Sequence, residues 1–247
     1  VYIHPVGDFD SAVDMCEQAL DLAENDDEVV DALLLMFDGL MAKGDFDAAK
    51  AITGRFPEGP FENPNHTFLV GRALYEVGEV DRSAPLVESV LETQPTHSEA
   101  LYYLGLIRDE RGEVGPATEA FLRARELDLE QPPPPWALSR EAFELKARAA
   151  VLSIKDELKA FLRDGEVYVT DVPGVEVVVD GVDPRALLLL DGVAGDAPGD
   201  PPKARVFVYQ RNVERVAGPL DQVEEEIAAA LEREITVAFV EPPPTPE

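Results

Sequence analysis

The chain has 247 residues, of which 50 are Asp or Glu and 21 Lys or Arg, for a net charge of −29. That surplus of acid argues against nucleic acid and anionic membrane as partners, since both are gripped by clustered Lys and Arg, and it suits a basic protein or peptide instead. An apolar content of 45% excludes a disordered chain, and a single cysteine, Cys16, excludes an internal disulfide and points to a reducing, cytoplasmic setting.

From the first residues onward, four turns share one pattern of Gly, acid and apolar residue. They are Gly7-Asp8-Phe9-Asp10, Gly44-Asp45-Phe46-Asp47, Gly78-Glu79-Val80-Asp81 and Gly112-Glu113-Val114-Gly115. The last three glycines recur every 34 residues. Each turn leads into an apolar stretch spaced by three and four, as in Ala12, Met15, Cys16, Ala19 and Leu20, which is one face of a helix. A glycine between two helices supplies the positive backbone angle that ends the first. The pattern predicts helix-turn-helix units, with the residues around Gly7 forming only the second helix of their pair. No apolar run is long enough for a bilayer and no signal peptide is visible. The chain opens on Val1 rather than Met, which leaves room for a removed leader.

A 34-residue helical period resembles the tetratricopeptide repeat. Ser98 to Gln131 carries the resemblance best: Leu101, Leu104 and Gly105 stand where the family's first helix packs, and Ala117, Phe121 and Ala124 where the second does. Pro64 to His97 is a fair match. Val30 to Asn63 is poorer, with Phe37 in place of a small residue and Thr53 in place of a large one. The resemblance implies a groove lined by first helices that holds a peptide or helix of a partner. Its candidate residues here are Asp31, Leu34, Asp38, Met41, Phe68, Arg72, Tyr75, Tyr102, Leu106 and Asp109. Aromatics beside acids suit a ligand with basic and apolar groups. The alternative is that Phe68, Tyr75 and Tyr102 only pack against neighbouring helices.

Pro132-Pro133-Pro134-Pro135-Trp136 cannot continue a helix and reads as a linker over 132–138. Residues 1–131 carry 28 acids and 9 bases, so the array is the more acidic half. Ser139 then caps a predicted helix running to about Leu162, with Phe143, Ala147, Ala150, Ile154 and Leu158 on its apolar stripe. Strands are expected at 167–169, 175–179 and 204–209, where β-branched and aromatic residues concentrate. Leu187 to Leu190 reads as strand or buried helical turn, and Gly192 to Lys203 as a loop. A last helix runs from about Leu220 to Phe239 on a stripe of Val223, Ile227, Leu231, Ile235 and Phe239. Pro242-Pro243-Pro244 stops it and opens a proline-rich tail over 242–247.

This order, with ARVFVYQRNVER at 204–215 and LEREITVAFV at 231–240, resembles the small bacterial zincin-like metallopeptidases over about 139–241. That family carries HExxHxxGxxD on its last helix, where two His one turn apart share a zinc and the Glu acts as general base. In this chain Arg233 takes the first His position, Glu234 keeps the general-base position and Val237 takes the second His position. The family's glycine is Val240, and its last acidic ligand is Pro243. The only histidines, His4, His66 and His97, lie in the repeat half. The sequence therefore predicts an α+β protein: an all-α tetratricopeptide-type array over 1–131, then a zincin-like α+β domain over 139–241 without metal, cofactor or catalytic residues. The expected function is non-catalytic protein binding, the degenerate domain serving as a packing or regulatory surface. Two alternatives remain at this point: a zinc hydrolase whose ligands arrive in trans, and a regulator of another protease.

Overall fold

The computed structural model describes residues 9–193, 203–217 and 222–240, with the backbone alone at residues 9, 10 and 193. The chain divides into two compact units, Val1–Leu127 and Asp128–Glu247. His4, Gly7, Leu220, Pro243 and the center of the Gly192 to Lys203 segment lie outside the described residues. Among the described residues, no helix is long and apolar enough to cross a membrane.

The first unit is a helical repeat array. It runs α1 (Phe9–Leu22), α2 (Asp26–Lys43), α3 (Phe46–Thr53), α4 (Pro64–Glu76), α5 (Val80–Thr93), α6 (Ser98–Glu110) and α7 (Val114–Glu130), the last turn of α7 entering the second unit. Gly44, Gly78 and Gly112 end α2, the α4 turn and the α6 turn with φ of 78°, 79° and 75°, a region that costs an L side chain about 1–2 kcal/mol. The Gly44 N–H returns to Leu40 and Met41 carbonyls, satisfying groups the helix end would otherwise leave bare. Asn25 caps α2 by accepting from the Glu28 N–H, and Asp45 caps α3 by accepting from Ala48.

Residues one period apart occupy equivalent places. Met36, Val70 and Leu104 are all buried, as are Ala49, Ser83 and Ala117. At the next equivalent set the three units differ. Gly71 and Gly105 let the second helix press against the first: a Cβ on Gly105 would sit 2.4 Å from the Phe121 ring, and one on Gly71 3.1 Å from Val87 Cγ2. Phe37 holds that place in the first pair and is fully buried. Its partner α3 is only 8 residues long, against 14 for α5. Phe37 shares one core with Ile52 of α3 and Phe56 beyond its end.

The second unit is a two-layer α+β structure. Its elements are α8 (Arg140–Ser153), α9 (Asp156–Lys159), β1 (Leu162–Thr170), α10 (Val175–Val179), β2 (Leu188–Val193), β3 (Lys203–Tyr209), α11 (Gln210–Ala217) and α12 (Val223–Ile235), followed by a π-helical turn, Thr236–Val240. The sheet order is β1-β3-β2, with β1 parallel and β2 antiparallel to β3. Leu188 pairs with Val208, and Val167 with Val206. This face buries itself under Phe143, Ala147 and Ala150 of α8 and Ile227, Leu231 and Ile235 of α12.

Three predicted elements are corrected. Residues 175–179 are a helix, not a strand: the segment follows Pro173-Gly174, buries only Val178 and is closed by Gly181 at φ 98°. Four valines in five residues carry no strand without a neighbour to pair with. The helix from Ser139 ends at Ser153, because Ile154 turns extended (φ −65°, ψ 166°). Ile154 and Leu162 still reach the core, but from a connection and from the start of β1. The last regular helix ends at Ile235, and Phe239 lies in the π turn, stacked on Phe161 at 5.2 Å. The Ser139 cap, the stripe of α12 and β3 stand as expected.

Gly105→Ala is expected to lower the stability of the full chain by about 2 kcal/mol despite alanine's better helix propensity, because Phe121 must be displaced. Urea unfolding checks this; an unchanged or raised midpoint would show that the ring yields freely.

Candidate functional site

The first helices α2, α4 and α6 carry a connected polar strip. At one end the two ring nitrogens of His66, which is buried on α4, lie 3.0 Å from Asp27 and 3.0 Å from Asp31 on α2. Two turns along, Arg72 Nη2 donates to Asp38 at 3.0 Å, and Arg72 Nε lies 3.4 Å from Glu76. Glu76 accepts the Tyr103 hydroxyl of α6 at 2.8 Å. Burial first, and then the Glu76 carboxylate, push the Tyr103 phenol up, so it stays a donor. Partial burial raises Asp38 above the usual aspartate range against the opposing pull of Arg72. The residues that pair are separated by 27 to 39 positions, close to one period, because equivalent helices lie side by side.

An aromatic run follows the same strip. Tyr75 meets Tyr103 edge-on at 5.6 Å, Tyr103 meets Tyr102 at 5.8 Å, and Tyr102 meets Phe121 at 5.8 Å. The structure places the predicted groove residues in three groups. Leu34 and Phe68 are buried, at 7% and 4% exposure, and Phe68 packs on His97 and Tyr103. Met41, Arg72, Tyr75, Tyr102 and Leu106 are half-buried, and Asp31, Asp38 and Asp109 are exposed. Arg72 spends its charge on Asp38 and Glu76, so the strip faces outward as carboxylates and phenol rings rather than as a cation. Sequence reading missed His66, Glu76 and Tyr103. A search for opposite charges one period apart would have found the Asp38–Arg72 pair.

In the second unit, Arg233 and Glu234 on α12 are neighbours in a surface ion pair at 3.2 Å, and Val237 is 51% exposed. Glu232 instead reaches Lys155 at 3.7 Å, so the two carboxylates face apart. Arg233 and Glu234 line a cavity of about 430 Å³ with Ala230, Asp183, Arg185 and Leu187 to Leu189. An arginine guanidinium and a valine offer no lone pair to a transition metal. Among the described residues there is no group of three His, Cys, Asp or Glu side chains that could hold a metal ion.

The 204–215 segment and its neighbours hold the unit together through polar side chains. Arg211 Nη1 donates to the carbonyls of Asp128, Leu129 and Gln131 at 3.2, 3.2 and 2.8 Å, satisfying the end of α7. Glu214, 2% exposed, accepts from the Leu138 N–H and from Gln210 Nε2, both at 3.0 Å. Asn212 Nδ2 donates to Pro184 and Ala186 carbonyls at 3.0 and 2.8 Å. Asp128, almost buried, takes Arg185 at 3.2 Å and Arg215 at 3.0 Å. The prolines at 132–134 and Trp136 border a cavity of about 280 Å³ beside Arg211, Glu214 and Arg215, all within this unit.

No protein-family model matches the chain, and no curated protein matches it. Among solved structures, a crystal structure of MamA is 22% identical over 51% of this chain and 76% of its own, with a TM-score of 0.41. A second MamA crystal structure is 16% identical, covers 97% of this chain and 90% of its own, and gives 0.42. The crystal structure of BtubC (BKLC) from P. vanneervenii is 15% identical over 97% and 93%, at 0.38. Scores this low carry no fold assignment; the repeat array rests on its own period, its positive-φ glycines and its paired helices.

Arg211→Ala is expected to cost about 2 kcal/mol, since three carbonyls at a helix end lose a charged donor. Urea unfolding should register the loss, and Arg211→Lys should recover only part of it because one ammonium cannot reproduce the planar fork.

Proposed function

We propose that this chain is a non-catalytic interaction protein whose first-helix strip holds a peptide or helix bearing basic and apolar groups. The observation that carries the reading is the excess of acid on the strip: Asp27, Asp31, Asp38 and Glu76 share only His66 and Arg72, beside the half-buried Tyr75, Tyr102 and Leu106. Aromatic side chains with exposed acids at their margins provide apolar contact area together with charge selection. Within this proposal the chain acts at ordinary protein interfaces, with no nucleic acid, membrane or cofactor, in the cytoplasm.

The second unit is read as a zincin-like domain that has lost its metal. Supporting this are a three-stranded sheet set between α8 and α12, with α10 between β1 and β2 and α11 after β3, the buried stripe of α12 and Glu234 beside a cavity. Arg233 and Val237 at the ligand positions make it a pseudo-enzyme, and its surface is available for packing or for restraining another protease. A carboxylate with no metal-bound water has no proton to take from a nucleophile.

Two measurements test the pair of statements. A fluorescent amphipathic peptide of leucine and lysine should bind the full chain and release at high ionic strength. Tyr102→Ala with Leu106→Ala should weaken it at least about tenfold, on the scale of an interface anchor; binding unaffected by both changes removes the strip as the site. Metal analysis of the purified chain should find no stoichiometric zinc, and Glu234→Gln should change no peptide-cleaving activity. Zinc at one equivalent together with cleavage abolished by Glu234→Gln would make the protein a peptidase.

A further inference from the structure

At the α2 end of the strip a histidine stands where the other first helices carry alanine. His66 lies one period from Ala32 and one from Ala100, and all three are buried. The fold accepts a methyl group at this place, so packing alone does not call for an imidazole. The ring is held by polarity instead: Nδ1 is 3.0 Å from Asp27 Oδ1, and Nε2 is 3.0 Å from Asp31 Oδ1. A neutral imidazole has one N–H and one lone pair, so it donates to one carboxylate and sets a lone pair against the other. The imidazolium donates to both. Asp27 and Asp31 sit one turn apart on α2 with 58% and 71% of their side chains in solvent, within reach of a ligand.

The other charged groups on the helices around α4 are directed elsewhere. On α2, Asp38 takes Arg72, and Glu28 accepts from the Glu24 N–H and from Asn25. On α4 itself, Arg72 also reaches Glu76, which accepts the Tyr103 hydroxyl. On α6, Glu99 acts on Tyr103, and His97 Nδ1 accepts from the Ala100 N–H at 3.1 Å. Lys50 of α3 pairs with Glu79, and on α5 Arg82 donates to the Thr53 carbonyl while Asp81 takes Arg111. Asp26, and Glu62 in the loop before α4, are exposed. Two carboxylates therefore meet one imidazole, and protonating the ring cancels one of their two charges.

We propose that His66 gates the α2 end of the strip by protonation. As imidazolium it occupies Asp27 and Asp31; as neutral imidazole it leaves one of them to a basic side chain of the ligand. The inference rests on the strip being the binding surface and names the regulation of that surface. Binding of a basic ligand then strengthens as pH rises across the range in which an imidazole loses its second proton. Asp38 acts in the same direction, since partial burial raises it above the usual aspartate range. A variant at His66 separates the two contributions.

Fluorescence anisotropy of the full chain with an acetylated leucine–lysine peptide, at fixed ionic strength, tests it at about pH 5.5 and about pH 8. The peptide amines stay charged at both values. The wild type is expected to bind about three- to tenfold more tightly at the higher pH, the effect of one charge close to the ligand in a solvated site. At the lower pH, His66→Ala should bind more tightly than the wild type by most of that factor, a gain that a damaged fold cannot give. His66→Gln, which carries no charge, should show the same gain. Asp27→Asn with Asp31→Asn should bind more weakly, and adding His66→Ala to that pair should restore nothing. If neither His66 variant binds more tightly than the wild type in acid, the gate is overturned and the strip remains the site. A gain from His66→Ala that persists without Asp27 and Asp31 overturns it as well. Absence of binding, or binding that ignores Tyr102→Ala with Leu106→Ala, removes the strip and the gate together.

Discussion

Stacked helix pairs hold together only where a second helix can approach its first closely enough to exclude water. In this array the approach is licensed by an absent side chain. At Gly105 the Phe121 ring occupies the volume a Cβ would need, and at Gly71 Val87 does nearly the same. The packing fixes the depth of each hairpin, and hence the alignment of one first helix beside the next. The Asp38–Arg72–Glu76–Tyr103 strip depends on that alignment, because its members come from three helices and meet only when equivalent turns lie level. Where Phe37 stands in the small position, the second helix is cut to two turns and the core is completed by loop residues.

The second unit solves a different problem. Its sheet has three strands and one covered face, so little apolar area is available to fix the connections around it. Polar side chains on α11 take that role. Arg211, Asn212 and Glu214 together engage backbone groups of the α7 end, the 184–186 turn and Leu138. Each would leave a buried donor or acceptor bare if removed. Arg233 and Glu234 of α12 border one cavity of this unit together with Asp183 and Arg185.

Much of the architecture was legible from spacing. The glycine turns located the seven helices described in the array, and the four-residue stripe named Val223, Ile227, Leu231 and Ile235, which are fully buried, together with Phe239, which is partly so. The Ser139 cap was readable because a hydroxyl before a helical run accepts from the first free N–H groups. Local composition failed at 175–179, where a valine run became one helical turn, and at Ile154, where an apolar stripe crossed a break between elements. Ile154 was marked as facing the core although the backbone path that brings it there was not, while in 175–179 only Val178 is buried.

By itself the sequence determined the repeat, the acidity and the apolar faces of the helices. These follow from residue identity and from the fixed geometry of a helix. Only the tertiary structure decided that Phe68 and Leu34 are interior while Tyr102 and Asp109 reach the surface, that Arg72 is neutralised, and that Arg211 closes a helix end. Those outcomes depend on which distant backbone comes to lie opposite each side chain, and a spacing pattern along one chain does not contain that distance.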